Sequence, residues 1–173
     1  MTRPRLFGLP QAVTNLSDDL SYARGSMSRE TYLSRFDRGE GGKFSLLAID
    51  RLTARIGELT SPTDRVYVFG FAGGGVLVKS HRQSVSRFFW SRPVVLEFES
   101  GRPGYGSSGL LADLTRTPPA VVALQKHDWG LAEKTTPDSI QFFINQPQLL
   151  AWLEAGYSLD YEDAAFVVWR RKT

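Results

Sequence analysis

A glycine-rich turn follows the most strand-like segment of the chain, "RVYVFGF", and it is the first place where the sequence could support chemistry. Backbone amides of consecutive glycines can hold a phosphate, so Gly73, Gly74 and Gly75 are candidate ligand-binding residues. A dinucleotide-binding loop needs glycines at its first, third and sixth positions, and the third position here is Ala72. The match is partial, and the alternative is a plain turn from a buried strand into a short helix.

Two arginines form the second candidate group. Arg82 and Arg87 lie in the basic stretch that follows the glycines. A guanidinium group can bind phosphate or carboxylate through two parallel hydrogen bonds, which makes both residues candidates for ligand binding. The alternative is a solvated charged surface in which Arg87 pairs with a carboxylate.

The tripeptide "HDW" at residues 127–129 is the third candidate group. His127 beside Asp128 could act as acid and base, and Trp129 could stack on a sugar ring. Adjacent residues of an extended segment point in opposite directions, however, and a loop aspartate can simply cap a turn. Because His81 and His127 are the only histidines and the chain has no cysteine, the sequence predicts no metal site, and it predicts no cofactor.

No familiar catalytic motif accompanies these groups. The chain lacks the G-x-S-x-G nucleophile elbow and the H-E-x-x-H zinc motif. Ser107 in "GYGSSG" lacks the strand-to-helix context that a nucleophile elbow needs. The sequence therefore assigns no catalytic residue to this chain.

Strand and helix patterns alternate along the chain. The runs "RVYVFGF" and "AVVALQ" are predicted as strands of the buried type, "SRFFW" as a short strand, and "PVVLEFE" as a further extended segment. The closing stretch predicts a hairpin around Glu162 and Asp163. This order predicts an α/β fold, with a largely parallel central sheet flanked by helices (Rossmann-like three-layer) and a C-terminal β-hairpin. Such sheets bind ligands beyond the carboxyl ends of their strands.

Helix signals separate these strands. Apolar residues at three- and four-residue spacing predict a helix over "KFSLLAIDRLTARIGELT". Residues that favour helix ends predict further boundaries at Ser28, Ser107 or Ser108, Asp138, Pro147 and Gly156.

The composition is that of a globular domain. A chain of 173 residues suits one domain, and we predict an irregular arm over residues 1–25 and a single α/β domain over 26–173. The net charge of +3 is scattered along the chain, which does not favour nucleic acid as a partner. No apolar run approaches the roughly 18–20 residues of a membrane span, so the chain taken by itself is expected to be soluble.

Several segments in a fixed order carry a resemblance to a known family. They are "YLSRF", "GGKFSLLA", "PTDRVYVFGF", "SRFFW", "GLLADLTRTPPAVVALQKHDW", "PDSIQFFI", "LLAWLEAGY" and "FVVWRR". Together they resemble the soluble C-terminal domain of bacterial GT-C membrane glycosyltransferases, the proteins related to the dolichyl-phosphate-mannose–protein mannosyltransferases. The resemblance covers most of residues 28–171.

The resemblance implies a role outside catalysis. In that family the domain lies outside the cytoplasm, and the membrane-embedded part carries the catalytic acidic residue. This chain would then be a non-catalytic accessory domain that helps to recognise an acceptor glycan or a polyprenyl-phosphate sugar donor. In that role Arg82 and Arg87 would meet phosphate or an acidic sugar, and Trp90 and Trp129 would offer stacking faces.

The same interpretation fixes the expected partners and location. The partners would be the chain's own transmembrane segment or a membrane glycosyltransferase, together with a glycan or lipid-linked sugar, at the extracytoplasmic face of the bacterial inner membrane. The alternative is a stand-alone soluble, cytoplasmic binding protein or enzyme for a phosphorylated small molecule such as a nucleotide or sugar phosphate. A third possibility is a structural module whose N-terminal arm binds a partner.

Overall fold

A five-stranded sheet forms the centre of the protein. The computed structural model describes residues 9–37, 45–99, 101–128 and 137–173. Its strands are β1 (Arg65–Phe69), β2 (Gln83–Ser84), β3 (Val121–Gln125), β4 (Tyr157–Glu162) and β5 (Phe166–Arg171). Its helices are α1 (Leu9–Ala23), α2 (Arg29–Ser34), α3 (Leu46–Leu59), α4 (Gly73–Ser80), α5 (Arg92–Val95), α6 (Gly106–Arg116), α7 (Ser139–Ile144) and α8 (Pro147–Gly156).

The sheet is mixed, with strand order β2-β1-β3-β5-β4. Strands β2, β1 and β3 are parallel, whereas β5 runs antiparallel to β3 and pairs with β4 as a hairpin. The predicted α/β class and C-terminal hairpin are confirmed. The expected largely parallel sheet is present in only three of the five strands.

Two apolar clusters cover the two faces of the sheet. Side chains alternate between faces along a strand. Tyr67 and Phe69 therefore point to one face of the sheet, where they pack against α6, α7 and α8. Val66 and Val68 pack on the other face against α3 and α4. A strand buried on both faces needs apolar residues at nearly every position, which is why the run "RVYVF" identified β1 correctly.

The segment "SRFFW" is not a strand, contrary to the sequence prediction. On the side of β1 away from β3, the parallel partner is instead the two-residue strand β2, which precedes this segment in the chain. Side chains compete for the backbone here, because the amide of Phe88 donates to Ser86 Oγ at 3.2 Å and Ser86 Oγ donates to the Asp113 carboxylate at 3.0 Å. These local bonds replace a strand ladder.

The extended segment predicted over "PVVLEFE" is also wrong. Its first half is the short helix α5, with Pro93 in the first turn, where a missing amide hydrogen costs nothing and the fixed φ angle suits the helix. Glu97 and Glu99 then adopt positive φ angles of 52° and 54°, which no regular strand contains.

The predicted helix boundaries agree better. Ser28 is the N-cap of α2, Asp138 is the N-cap of α7, and Pro147 and Gly156 begin and end α8. Helix α6 begins at Gly106, with Tyr105 as its N-cap, rather than at Ser107 or Ser108. Its first turn packs on the preceding loop, since a Cβ atom at Gly109 would lie 2.2 Å from the carbonyl oxygen of Gly104.

The N-terminal arm is helical from Leu9 onwards, whereas the sequence predicted irregular structure over residues 1–25. Helix α1 docks on α2 through a stacked pair of rings, Tyr22 and Tyr32, whose centroids lie 4.3 Å apart. Arg35 adds ion pairs to Asp18 and Asp19. Tertiary contacts of this kind decide helix formation more than propensity does. Residues 1–8 lie outside the described part.

Strand β4 contains an irregularity and one ion pair. Its register against β5 shifts between Leu159 and Tyr161. At this shift the guanidinium group of Arg55 on α3 donates two hydrogen bonds of 2.9 Å to the carboxylate of Asp160.

None of the described helices has the length and apolar character that a bilayer crossing requires.

Candidate functional site

The carboxyl ends of β1 and β3 lie side by side. Strand β1 leads into a turn over Gly70, Phe71 and Ala72, and β3 leads into the segment that holds His127 and Asp128. Because parallel strands end at the same edge of a sheet, the glycine turn and Asp128 meet there, as the ligand-binding rule for α/β sheets predicts. We call this the carboxyl edge.

The turn amides at this edge already have acceptors within the chain. The amide of Phe71 donates to Asp128 Oδ2 at 3.0 Å, and the amide of Ala72 donates to Gln125 Oε1 at 2.8 Å. The amide of Gly73 donates to the carbonyl of Gly70 at 3.2 Å. These three amides are therefore engaged within the chain and are not available to a phosphate.

Gly73, Gly74 and Gly75 form the first turn of α4, and they differ in what surrounds them. A Cβ atom at Gly73 would lie 2.3 Å from the carbonyl oxygen of Phe89 and 2.9 Å from that of Val68. At Gly74 the nearest atom would be the Phe89 ring at 3.4 Å, and at Gly75 nothing lies within 4 Å. Gly73 is thus required for close backbone approach.

Three aromatic side chains pack together beside this turn, and we call them the aromatic platform: Phe71, Phe89 and Trp90. The Phe71 and Trp90 rings make an edge contact with centroids 5.9 Å apart, and the Phe89 and Trp90 rings stack at 6.3 Å. Phe71 is 37% exposed and Phe89 is 53% exposed. Large apolar rings grouped at the surface indicate a contact site for a ligand or partner.

A buried polar network lies beneath the platform. Ser139 donates to Asp128 through both its hydroxyl, at 2.5 Å, and its amide, at 2.9 Å, and the hydroxyl oxygens of Ser139 and Ser91 lie 2.6 Å apart. Asp128 is 7% exposed and both serines are fully buried. The amide of Ser91 also donates to the Gly70 carbonyl at 3.3 Å, so the network joins the platform to the start of α7.

The charge of Asp128 is affected by this environment. Burial raises the pKa of the Asp128 carboxyl above its ordinary value, while hydrogen bonds from Ser139 and from the Phe71 amide oppose the shift. No substrate can reach hydroxyls that are fully buried, so we assign Ser91, Ser139 and Asp128 a positioning role. They hold the turn that carries Phe71.

Arg87 lies beside a different carboxylate. It follows β2, and its Nε lies 3.4 Å from Asp113 Oδ2, while Arg116 donates to Asp113 Oδ1 at 2.7 Å. Burial opposes ionisation of Asp113, but the hydrogen bonds from Ser86 and Arg87 outweigh it, and the pKa of Asp113 is lowered. This geometry agrees with the alternative interpretation of the sequence, in which Arg87 pairs with a carboxylate.

Arg82 lies at the end of the sheet where the parallel strands begin, whereas the glycines lie at the end where β1 stops. Its Nε donates to Thr60 Oγ1 at 3.0 Å, its Nη1 to the Ser80 carbonyl at 3.0 Å and its Nη2 to the Thr60 carbonyl at 3.1 Å. It immediately precedes β2, whose Gln83 pairs with Arg65 at the start of β1. The structure thus separates Arg82 from the other candidates.

His127 has a different partner from the one that the sequence suggested. Its Nδ1 lies 3.3 Å from the carboxylate of Asp138, while Asp128 points into the buried network. The backbone of His127 has a positive φ of 54°, which turns the two neighbouring side chains apart. Trp129 lies outside the described residues, so its proposed stacking role stays a prediction.

The structure adds residues that the sequence did not single out. Phe71, Phe89, Gln125, Ser91 and Ser139 all contribute to the carboxyl edge. Phe89 lay within a predicted strand, and Ser91 and Ser139 are distant in sequence, so only the aromatic run "FFW" gave a usable signal. Within the described ranges no cluster of three or more histidine, aspartate or glutamate side chains could hold a metal ion.

Comparison with protein-family models, with curated proteins and with solved structures gives no match to this chain.

Proposed function

We propose that this chain is a non-catalytic accessory domain of a membrane glycosyltransferase, and that the aromatic platform binds the glycan or the polyprenyl-phosphate sugar. The observation that carries the proposal is the exposure of Phe71 and Phe89, which pack with the half-buried Trp90 at the carboxyl edge of an α/β sheet. The sequence resemblance supports the parent protein, and the platform supports the kind of ligand.

The chemistry of the platform favours an apolar or neutral face of the ligand. Aromatic rings offer a broad apolar surface on which the C–H face of a pyranose or an isoprenoid segment can lie. The amides of Phe71 and Ala72 are engaged by Asp128 and Gln125, so these two amides are not available to a phosphate. We therefore expect contact with the sugar ring or the prenyl chain rather than with the phosphate.

The platform is held in place before any ligand arrives. Asp128 fixes the backbone of Phe71, and the absence of a side chain at Gly73 lets the Phe89 backbone lie against the first turn of α4. A preorganised site loses less side-chain entropy on binding. The smaller entropy loss suits a domain that must recognise a ligand through few polar contacts.

The proposal assigns catalysis to another part of the parent protein. The buried serines cannot attack a substrate, and the resemblance implies that the catalytic acid lies in a membrane-embedded segment. We propose an extracytoplasmic location and a membrane glycosyltransferase as the partner. Fractionation of native cells with an antibody against this domain tests that assignment. We expect a membrane-bound band far heavier than 19.3 kDa, and a band near that mass outside the membranes would contradict it.

Ligand-observed saturation-transfer NMR tests the platform directly. We would use a neutral hexose oligosaccharide and a water-soluble short-chain polyprenyl-phosphate hexose, with the whole chain. Trp90→Ala should reduce affinity about fivefold or more, because the loss of a stacking ring in a binding site costs roughly 1–3 kcal/mol.

The matched control is Phe98→Ala. Phe98 is 50% exposed but is not part of the platform, so its loss should leave affinity within about twofold. Equal binding by wild type and Trp90→Ala would remove the platform from the function, and equal losses in both variants would point to non-specific apolar adsorption.

A further inference from the structure

The opposite edge of the sheet, which we call the amino edge, concentrates positive charge. Ala120, just before β3, joins its neighbours there: its amide donates to the Arg65 carbonyl at 2.8 Å and its carbonyl accepts from the Arg171 amide at 3.0 Å. Arg82 precedes the residue that pairs with Arg65. Since neighbouring strands lie about 4.8 Å apart, arginines recur along one row roughly 14 Å long.

These cations differ from the others in their partners. Elsewhere in the described ranges, most arginines and lysines lie within ion-pair distance of a carboxylate, as Arg29 does with Asp50 and Arg102 does with Glu99. The amino-edge cations have no carboxylate at that distance among the described residues. They are Arg65, Arg82, Arg170, Arg171 and Lys172.

Some of these cations donate hydrogen bonds to backbone carbonyls within the chain. Lys172 Nζ donates to the Glu154 carbonyl at 2.7 Å near the end of α8, and Arg171 Nη1 donates to the Pro118 carbonyl at 3.1 Å. Cations commonly stabilise helix carboxyl ends in this way. Arg65 and Arg170, however, are exposed and have no hydrogen-bond acceptor for their side chains among the described residues, so internal capping does not account for them.

A cavity at this edge brings the charge together. It has a volume of about 400 Å³ and is lined by Ser158, Arg170, Arg171, Lys172 and Thr173. Ser158 pairs with Arg170 across β4 and β5, which brings a hydroxyl next to a guanidinium group. No aspartate or glutamate lines this cavity, whereas an adjacent one of about 230 Å³, which shares Arg170, Arg171, Lys172 and Thr173 with it, also contains Asp64.

We infer that the larger cavity binds a phosphate group. A guanidinium group and a hydroxyl are good donors to phosphate oxygens, and Arg170 supplies the guanidinium that has no acceptor of its own among the described residues, while Arg171 and Lys172 add positive charge beside it. The site lies at the end of the sheet opposite the aromatic platform and does not depend on the proposed function. Its phosphate could come from a lipid headgroup or from a soluble phosphate compound.

Isothermal titration calorimetry with inorganic pyrophosphate tests the site, with ionic strength held constant by sodium chloride. Arg170→Gln should weaken binding about tenfold, since it removes a charge-assisted contact. Ser158→Ala should weaken binding about threefold without any change in charge. Arg102→Gln, which removes the same charge at a distant exposed position, should change affinity by less than about twofold. Unfolding curves would establish that each variant is folded.

Two outcomes would overturn the inference: Arg170→Gln binding pyrophosphate as tightly as wild type, or Arg102→Gln weakening it equally. Sedimentation with phosphatidylglycerol vesicles, compared with phosphatidylcholine vesicles, then separates the two phosphate sources. Loss of vesicle binding in Arg170→Gln identifies a lipid headgroup. Pyrophosphate binding without vesicle binding identifies a soluble phosphate compound.

Discussion

The two ends of the sheet differ in which polar groups are paired within the chain and in which side chains are exposed. At the carboxyl edge the polar groups are paired within the chain, by Asp128 and Gln125, and the exposed side chains are aromatic. At the amino edge the exposed side chains are cations without carboxylate partners among the described residues. An edge whose polar groups are paired internally is suited to apolar faces, and an edge with unpaired charge is suited to anions.

The comparison also separates rigidity from charge. The carboxyl edge is held by backbone approach and a buried network, so its shape depends on a few positions where no other group fits. Apart from the half-buried Arg82, the amino edge is a row of exposed side chains whose individual loss changes the local electrostatic field but not the fold. Variants at the first edge should therefore affect stability, and variants of the exposed cations at the second should mainly affect binding.

The largest effect is expected at Gly73. Gly73→Ala would force a methyl group against two backbone carbonyls at 2.3 and 2.9 Å, and we expect a loss of about 3 kcal/mol in the free energy of unfolding. The measurement is urea denaturation followed by circular dichroism. Gly75→Ala is the matched control, because its Cβ meets open space and it should stabilise the helix by about 0.5–1 kcal/mol. A neutral Gly73→Ala would contradict the close approach.

Removal of the buried carboxylate should come next. Asp128→Ala leaves the Phe71 amide and the Ser139 hydroxyl without their acceptor, and a buried unpaired group costs about 1–3 kcal/mol. We expect a loss of about 2 kcal/mol by chemical denaturation, together with weaker glycan binding because Phe71 is no longer held. Full affinity in a folded Asp128→Ala protein would separate the network from the platform.

Arg82→Ala tests the division between the edges. Its side chain donates three hydrogen bonds to Thr60 and Ser80 at the amino edge, so we expect a loss of about 1 kcal/mol and unchanged binding at the platform. Differential scanning fluorimetry combined with the NMR titration measures both. If Arg82→Ala lost glycan binding but kept its stability, Arg82 would be a ligand-binding residue, as the sequence predicted.

The smallest effect is expected in the pH dependence of stability. The pKa of Asp113 is lowered in the folded state, so its contribution is complete above the ordinary carboxyl pKa of about 4 and is lost as the pH falls below it. Asp113→Asn should therefore lose less stability than wild type between about pH 4 and pH 2. Parallel acid titration curves for the two proteins would contradict this sign.

The sequence predicted those elements whose pattern is local and repeated. Strands β1 and β3 are continuous apolar runs, and α3 has apolar residues at helical spacing, so burial on a sheet follows directly from residue order. The hairpin and the ends of α8 follow from turn and cap residues. Where a pattern competed with side-chain bonds, as at Ser86 and Phe88, the prediction of a strand was wrong.

The candidate site was only partly predictable for a related reason. Residue type placed Gly73, Trp90 and Asp128 near the carboxyl edge, but no local pattern shows that Asp128 faces Phe71 rather than His127. The position of Arg82 depends on which strand pairs with β1, and the predicted partner strand began several residues too late. Contacts between residues far apart in sequence decided each of these outcomes.

The register shift in β4 has a consequence for neighbouring molecules. An open sheet has two outer strands whose free backbone groups can recruit a strand from another chain and begin aggregation. Here β2 offers only two residues, and β4 is interrupted where Asp160 is held by Arg55. Both borders are therefore poor templates, which allows the exposed Leu159 to stay at the surface without promoting fibril growth.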